Sequence, residues 1–312
     1  MDLKLSFSLV DATVSPLKWV YQLEDVGFQG WEIVGEGLQR VEGEFRERVR
    51  EVYQTTNLII SLHAPLSDIN IASVNERIWE ESIRQIKESI KNAHEFIEDI
   101  CVVHPGVLSP LSVQMPDRAF DKAITGLQIL CDFASEYGLR IAVENLTSAN
   151  MLMGRYPDEL VRIVKGVNRD NIGICLDVAH ANTTKTLAEF LEIAKDEDVK
   201  IIHMHASDNF GTDDLHLALG RGNIDWRKVF CGIKDHDYKG LFVTELYSLD
   251  AGIESLKYIH NLGIGMGDGA SARKQGEDAD RYEGEEGGSN KRAKHDAKPG
   301  HQRWHANQPA YY

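Results

Sequence analysis

A carboxylate and an imidazole stand two positions apart in the polar segment 212–226. Asp214 and His216 precede a Gly-Arg-Gly turn. Side chains of these two types bind divalent metal ions such as Zn²⁺. An isolated Asp-x-His pair is weak evidence for a metal site, because a histidine in a polar loop is more often solvated than bound to metal. The rest of the chain must therefore decide whether a metal site exists.

Seven other side chains that can bind metals belong to short, mostly apolar runs. Three of them, His63, His104 and Glu144, lie in SLHAP, VVHPG and AVENL and are spaced 41 and 40 residues apart. The other four, from LDVAH, HMHAS and VTEL, are Asp177, His180, His205 and Glu245. Ionisable groups gathered in a narrow mouth are costly to bury unless they are paired or bound to metal. The pattern therefore predicts about one to three divalent ions, with zinc and manganese both compatible with these ligand types.

The elements that must position these residues alternate along residues 1–263. Helical periodicity separates eight apolar runs; segment 73–97, for example, predicts a buried stripe of Ile78, Ser82, Ile86, Ile90 and Ala93. The eight runs predict buried parallel strands and cover 3–10, 30–36, 58–66, 99–106, 139–146, 171–180, 199–208 and 240–247. Eight such units predict a (β/α)8 barrel, whose strand ends share one mouth. The rival, a doubly wound sheet, would more often show a glycine-rich loop after its first strand, and none follows here.

Two histidines of the seventh predicted strand compete for one ligand position. His203 and His205 lie two residues apart and therefore share a face of that strand. His205 is nearer to the strand end, so we predict that it is the ligand. We place His203 in the barrel interior or behind the ligands.

Charge and composition divide the chain and restrict its partners. The net charge is −15, and residues 264–312 hold eight basic and eight acidic side chains, so the acidic excess lies on residues 1–263. The segment 264–312 has little aliphatic periodicity and predicts a low-complexity disordered tail. The acidic body disfavours nucleic acid as a partner, and no run is long enough for a membrane span. Four widely spaced cysteines predict buried free thiols in a cytoplasmic protein.

Seven motifs, taken in order, resemble those of one superfamily. They are SLHAPLSDINIAS, VVHPG, AVENL, ICLDVAHA, HMHASDN, DLHLALGRGNIDW and TEL, and the resemblance covers about residues 4–262. They are similar to segments of the xylose isomerase-like TIM barrels, which unite endonuclease IV (AP endonuclease family 2) with sugar isomerases and epimerases. The resemblance implies a metal-dependent enzyme with a small sugar or phosphorylated substrate. It leaves the oligomeric state open.

The resemblance to sugar epimerases implies a single divalent ion held by Glu144, Asp177, His205 and Glu245. In that branch the catalytic pair is Glu144 and Glu245. One removes the proton beside the carbonyl, and the other returns it from the opposite face. His180 would bind a substrate hydroxyl. Such epimerases also carry an arginine shortly after the ligand histidine; SDNFGTD has none, and Arg221 is a candidate replacement.

The resemblance to endonuclease IV implies three zinc ions held by nine side chains. All nine positions have a matching residue, namely His63, His104, Glu144, Asp177, His180, His205, Asp214, His216 and Glu245. Such a centre activates water and neutralises phosphate oxygens. The chain departs from the nuclease after His63, where Leu66-Ser67-Asp68 replaces a DNA-probing tyrosine. A sugar isomerase or epimerase is therefore our main expectation. The alternative is a phosphoester hydrolase acting on a small phosphodiester or abasic DNA.

Overall fold

Eight parallel strands close into a barrel in their order along the chain. In the computed structural model, which describes residues 3–193, 199–235 and 238–263, each strand pairs with its neighbour in sequence, and the last pairs with the first. The strands are β1 Lys4–Leu9, β2 Gly30–Val34, β3 Ile59–His63, β4 Ile100–Val103, β5 Arg140–Glu144, β6 Ile172–Asp177, β7 Ile201–Ala206 and β8 Leu241–Leu246. The predicted (β/α)8 barrel is confirmed. The predicted tail at 264–312 lies outside the described residues.

Helices follow the strands and pack against the outside of the barrel. In the part of the chain that the structure describes, they are α1 Leu23–Val26, α2 Gly43–Thr55, α3 Glu76–Ala93, α4 Pro116–Ser135, α5 Pro157–Val167, α6 Val178–Thr184, α7 Leu187–Ile193, α8 Trp226–Asp235 and α9 Leu249–Asn261. Because all the strands are parallel, their C-terminal ends open on a single mouth. None of these helices is long and apolar enough to cross a membrane.

Two apolar layers position the mouth. On the outside of the strands, Phe7, Trp31 and Phe242 are fully buried beneath the helices. A second cluster contains Ile100, Val102, Ala142 and Cys175. The last two lie two positions before Glu144 and Asp177, and residues two apart share a strand face. The second cluster is therefore an apolar floor inside the barrel, directly below the predicted ligands.

Four of the five residues predicted for the buried stripe of α3 are buried, namely Ser82, Ile86, Ile90 and Ala93. Trp79, Ile83, Ile86 and Ile90 are buried, whereas Ile78 is 48% exposed. The predicted stripe advanced from Ile78 in steps of four residues, and four residues turn a helix by about 400°. Three successive steps of four therefore leave Ile78 off the buried face, while alternating steps of four and three residues stay on it.

The cysteines follow the prediction with one exception. Cys101, Cys131 and Cys175 are buried free thiols, but Cys231 on α8 is exposed. The reason is again helical spacing. The buried positions of α8 are 226, 229, 230 and 233, and residue 231 points away from that stripe.

Candidate metal centre

Four consecutive strands bring four buried side chains to the centre of the mouth. They are Glu144 of β5, Asp177 of β6, His205 of β7 and Glu245 of β8. One potential ligand atom of each lies within 4.8 Å of the other three. The most exposed of the four is Glu245, at 7%. Asp177 and His205 pair directly across neighbouring strands, so they lie at the same height in the barrel.

Glu144 connects these residues to a second group. Its Oε1 atom lies 3.0 Å from His205 Nδ1. Its Oε2 atom lies 3.2 Å from His63 Nε2 and 3.0 Å from His104 Nε2. Two carboxylate oxygens turned toward separate sets of imidazoles are suited to bridging two metal ions, as in two-metal enzymes.

A third group of side chains that can bind metal lies on a helix and on a loop. Asp214 Oδ2 lies 3.1 Å from both His180 Nε2 and His216 Nε2. The prediction extended the sixth strand through His180, but β6 ends at Asp177 and His180 lies on α6. The cause is local: Asp177 Oδ1 accepts the His180 backbone N–H at 2.6 Å and thereby caps the helix. All nine predicted residues thus meet in three adjoining groups.

Several of the histidines are held so that one ring nitrogen faces the mouth. The Nδ1 atoms of three of them lie within hydrogen-bond distance of backbone carbonyl oxygens. The pairs are His63 with Ala64, His180 with Asn145 and His216 with Glu245, at 2.8, 2.8 and 3.1 Å. A carbonyl oxygen only accepts, so in the neutral ring Nδ1 carries the proton and Nε2 presents its lone pair to the mouth. Histidines that bind metals donate their second ring N–H in this way.

The buried carboxylates fit a bound cation. The pKa of Glu245 rises to about 7, because burial and the nearby Glu144 outweigh the attraction of His205. Burial also raises the pKa of Asp177. Among the described residues, Asp177 Oδ2 and Asp214 Oδ1 are buried without a hydrogen-bond partner. Buried polar atoms normally have a partner, and a divalent ion would supply one here.

Metal binding should release protons from His63 and His216. Burial disfavours their charged forms, but Glu144 and Asp214 respectively outweigh burial and raise both pKa values to about 9. At pH 7 the metal-free rings are therefore protonated, and a metal must displace those protons. We expect the affinity for Zn²⁺ to rise with pH up to about 9, by about tenfold per unit for each proton released. Calorimetry in buffers of different ionisation enthalpy measures the protons; equal heats in all buffers would contradict the prediction.

A buried glutamate that we did not predict lies behind His205. Glu32 on β2 is 0% exposed. Its Oε2 atom accepts the Ser61 hydroxyl at 2.8 Å and lies 2.7 Å from His203 Nε2. Its Oε1 atom lies 2.9 Å from His205 Nε2, which leaves His205 Nδ1 to face Glu144. The structure places His203 in the barrel interior.

Two further side chains bear on the sequence interpretation. Cys175 was not predicted near the site, yet its Sγ atom lies within 4.8 Å of ligand atoms of Glu144 and His205. Burial raises the pKa of its thiol well above the usual value, so the thiol stays protonated at neutral pH. Arg221, the candidate replacement for the epimerase arginine, pairs instead with Glu254 on α9.

The chain belongs to the xylose isomerase-like TIM barrel family, whose model matches residues 20–262. It is 33% identical to an uncharacterised protein of Methanocaldococcus jannaschii over 256 residues, which are 82% of this chain and 87% of that protein. It is similar to the crystal structure of a D-tagatose 3-epimerase-like protein, with a TM-score of 0.79 and 31% identity, covering 84% of this chain and 98% of that one. A probable endonuclease 4 of Carboxydothermus hydrogenoformans is 28% identical over 131 residues, 42% of this chain and 44% of that protein.

Proposed function

We propose that this protein is a divalent-metal-dependent isomerase or epimerase of a sugar or sugar phosphate. The observation that carries the proposal is the convergence of Glu144, Asp177, His205 and Glu245, whose ligand atoms lie within 4.8 Å. The two glutamates come from β5 and β8, which are separated by two strands in the ring. They therefore approach the centre from different sides. Similarity to a D-tagatose 3-epimerase-like protein supports the same function.

Proton transfer between two carboxyl groups explains this arrangement. An ion held by the four side chains would supply Lewis acidity to a carbonyl and an adjoining hydroxyl of the substrate. Either Glu144 or Glu245 takes the proton from the carbon beside the carbonyl, and that carbon becomes planar. The other carboxyl group returns a proton to the opposite face, so the configuration inverts without a net change of atoms. His180 binds a substrate hydroxyl through Nε2.

Solvent exchange of a substrate proton tests the proposal. Wild-type protein loaded with Mn²⁺ or Zn²⁺ should replace one substrate C–H proton by deuterium when it is incubated in D₂O with a suitable sugar. NMR of aldoses, ketoses and their phosphates detects the exchange, and protein stripped by a chelator serves as the control. If no sugar of such a panel exchanges with the loaded protein, the proposal fails.

A second candidate function is phosphoester hydrolysis at a multinuclear zinc centre. The group of His180, Asp214 and His216 favours it, because a single-ion epimerase site does not use Asp214 and His216 as ligands. The substrate would be a small phosphodiester rather than duplex DNA, since a net charge of −15 repels the phosphate backbone. Metal analysis with anomalous scattering tests it. One ion per chain together with no phosphodiesterase activity would remove this candidate.

A further inference from the structure

The loop that carries Asp214 and His216 closes around a buried carboxylate outside the ligand set. Residues 209–224, the ligand loop, lie within the connection between β7 and α8, and Asp208 immediately before them is 0% exposed. Both oxygens of Asp208 accept two N–H groups each. The donors are Asn209 N at 3.0 Å and Ile224 N at 3.3 Å on Oδ1, and Gly220 N at 2.8 Å and Trp226 Nε1 at 3.0 Å on Oδ2. The donors come from the first residue of the loop, from its second half, and from the helix just after it. Asp208 therefore links both ends of the loop by hydrogen bonds.

The same residue fixes the backbone beside His216. Asp208 and Leu217 exchange backbone hydrogen bonds of 2.8 and 3.0 Å, which form an isolated antiparallel bridge directly after His216. His216 has a φ of 43°, in the left-handed region that is unfavourable for a non-glycine residue. The bridge on one side and the contact of His216 Nδ1 with the Glu245 carbonyl on the other hold it there.

The close packing of the loop against Asp208 explains why the Gly-Arg-Gly turn has glycine at both ends. A Cβ atom at Gly222 would lie 2.2 Å from both Asp208 Oδ1 and the Asn209 carbonyl oxygen. Gly220 has a φ of +85°, and a Cβ there would lie 2.4 Å from the Tyr258 ring. Glycine at these two positions therefore allows the loop to wrap tightly around the carboxylate.

Asn209 joins the ligand loop to the helix that carries His180. Its Oδ1 atom accepts the Gly211 N–H at 2.8 Å and Asn182 Nδ2 at 2.8 Å. Its Nδ2 atom donates to the Ala179 carbonyl at 2.9 Å. Ala179 and Asn182 lie on α6, on either side of His180. The ligand loop and α6 therefore form one hydrogen-bonded unit.

We infer that Asp208 is a positioning residue for a metal ion bound by His180, Asp214 and His216. The inference rests on the multinuclear centre of the second candidate function, because a single-ion epimerase site does not use Asp214 and His216 as ligands. Strand ligands are held by the hydrogen bonds of the barrel itself, whereas the loop ligands depend on the four N–H groups that converge on Asp208. Loss of Asp208 should therefore weaken the loop-bound ion and spare the strand-bound ion.

The substitution Asp208→Asn tests the inference, because it keeps the size of the side chain but turns an NH₂ group toward N–H donors. Zn²⁺ affinity and ions per chain are measured by competition with a chelator. We expect Asp214→Ala/His216→Ala to lose one ion but not all. Asp208→Asn should bind that same ion about 10–100-fold more weakly. Asp213→Asn is the matched control and should bind zinc like wild type, since Asp213 is an exposed residue of the same loop whose carboxylate accepts the Thr212 hydroxyl.

Several results would overturn the inference. Wild-type affinity in Asp208→Asn is one, and loss of the strand-bound ion together with the loop-bound ion is another, because it indicates collapse of the whole mouth. If the Asp214/His216 double variant binds as many ions as wild type, no loop ion exists; the inference then fails while the proposed strand site stands. Should Asp208→Asn not fold, Asn209→Ala removes the bonds to Gly211 and α6 and should weaken the same ion. An unchanged affinity in that variant overturns the inference.

Discussion

Replacement of Glu245 by glutamine should slow the exchange of the substrate C–H proton by about 10²–10⁴-fold, the usual contribution of a general acid or base. Glu245 Oε1 lies 3.4 Å from His205 Nδ1 at the centre of the mouth. Glutamine keeps the shape and one oxygen ligand, but it neither accepts nor returns a proton at neutral pH. The chemical step should therefore be lost while the fold persists. The initial rate of deuterium incorporation, followed by NMR at measured metal occupancy, checks the prediction.

The matched control is Glu254→Gln on α9. Glu254 is a partly exposed glutamate outside the mouth that pairs with Arg221, so this variant should exchange protons at the wild-type rate. Glu245→Gln with full metal occupancy and wild-type exchange would contradict the catalytic assignment. A variant that loses the metal, but regains the wild-type rate at saturating metal, would show that Glu245 is a ligand only.

The grouping of the candidate ligands on the strands was predictable, because residues at the C-terminal ends of parallel barrel strands lie at the same height in the barrel. Glu144 and Asp177 end neighbouring predicted strands, and the C-terminal ends of such strands lie at one mouth. Alternation along a strand then turns each residue toward or away from the barrel axis. Neither step requires knowledge of distant contacts, which is why the fold and the candidate ligands on the strands follow from local patterns.

One further feature was missed because of a local helix cap, and the others depend on contacts between residues far apart in the sequence. The segment ICLDVAH predicts a strand that ends at His180. In the structure the strand ends at Asp177, because Asp177 accepts the His180 backbone N–H and a helix begins at Val178. The position of Asp214 depends on a loop held by Asp208, whose partners are spread over residues 209–226. The sequence signal for Glu32 was a single charged residue inside the apolar run GWEIVG. Its partners, His203 and His205, lie on the distant strand β7.

Glu32→Ala should lower the free energy of unfolding by about 3–5 kcal/mol, as expected when one partner of a buried charged pair is removed. Burial opposes the charged form of Glu32, but His205 and His203 hold its pKa well below the usual value. Alanine leaves the His203 ring and the Ser61 hydroxyl without their acceptor and removes the negative charge beside His205 in the barrel interior. Urea denaturation of the chelator-treated protein measures the loss. Glu88→Ala, at a partly exposed position of α3 that pairs with Arg84, is the control and should change stability by less than about 1 kcal/mol.

The same residue should also act on the metal through His205. With Glu32 at its Nε2 side, His205 directs Nδ1 toward Glu144 and Glu245. Carboxylate partners of this kind typically change metal affinity by about 10–100-fold. Glu32→Gln separates the two effects, since it keeps an acceptor for Ser61 but removes the charge. Lower Zn²⁺ affinity in Glu32→Gln, measured below its unfolding midpoint, would show that Glu32 orients the ligand. If Glu32→Gln instead has reduced stability but wild-type Zn²⁺ affinity, Glu32 stabilises the barrel interior and does not orient the ligand.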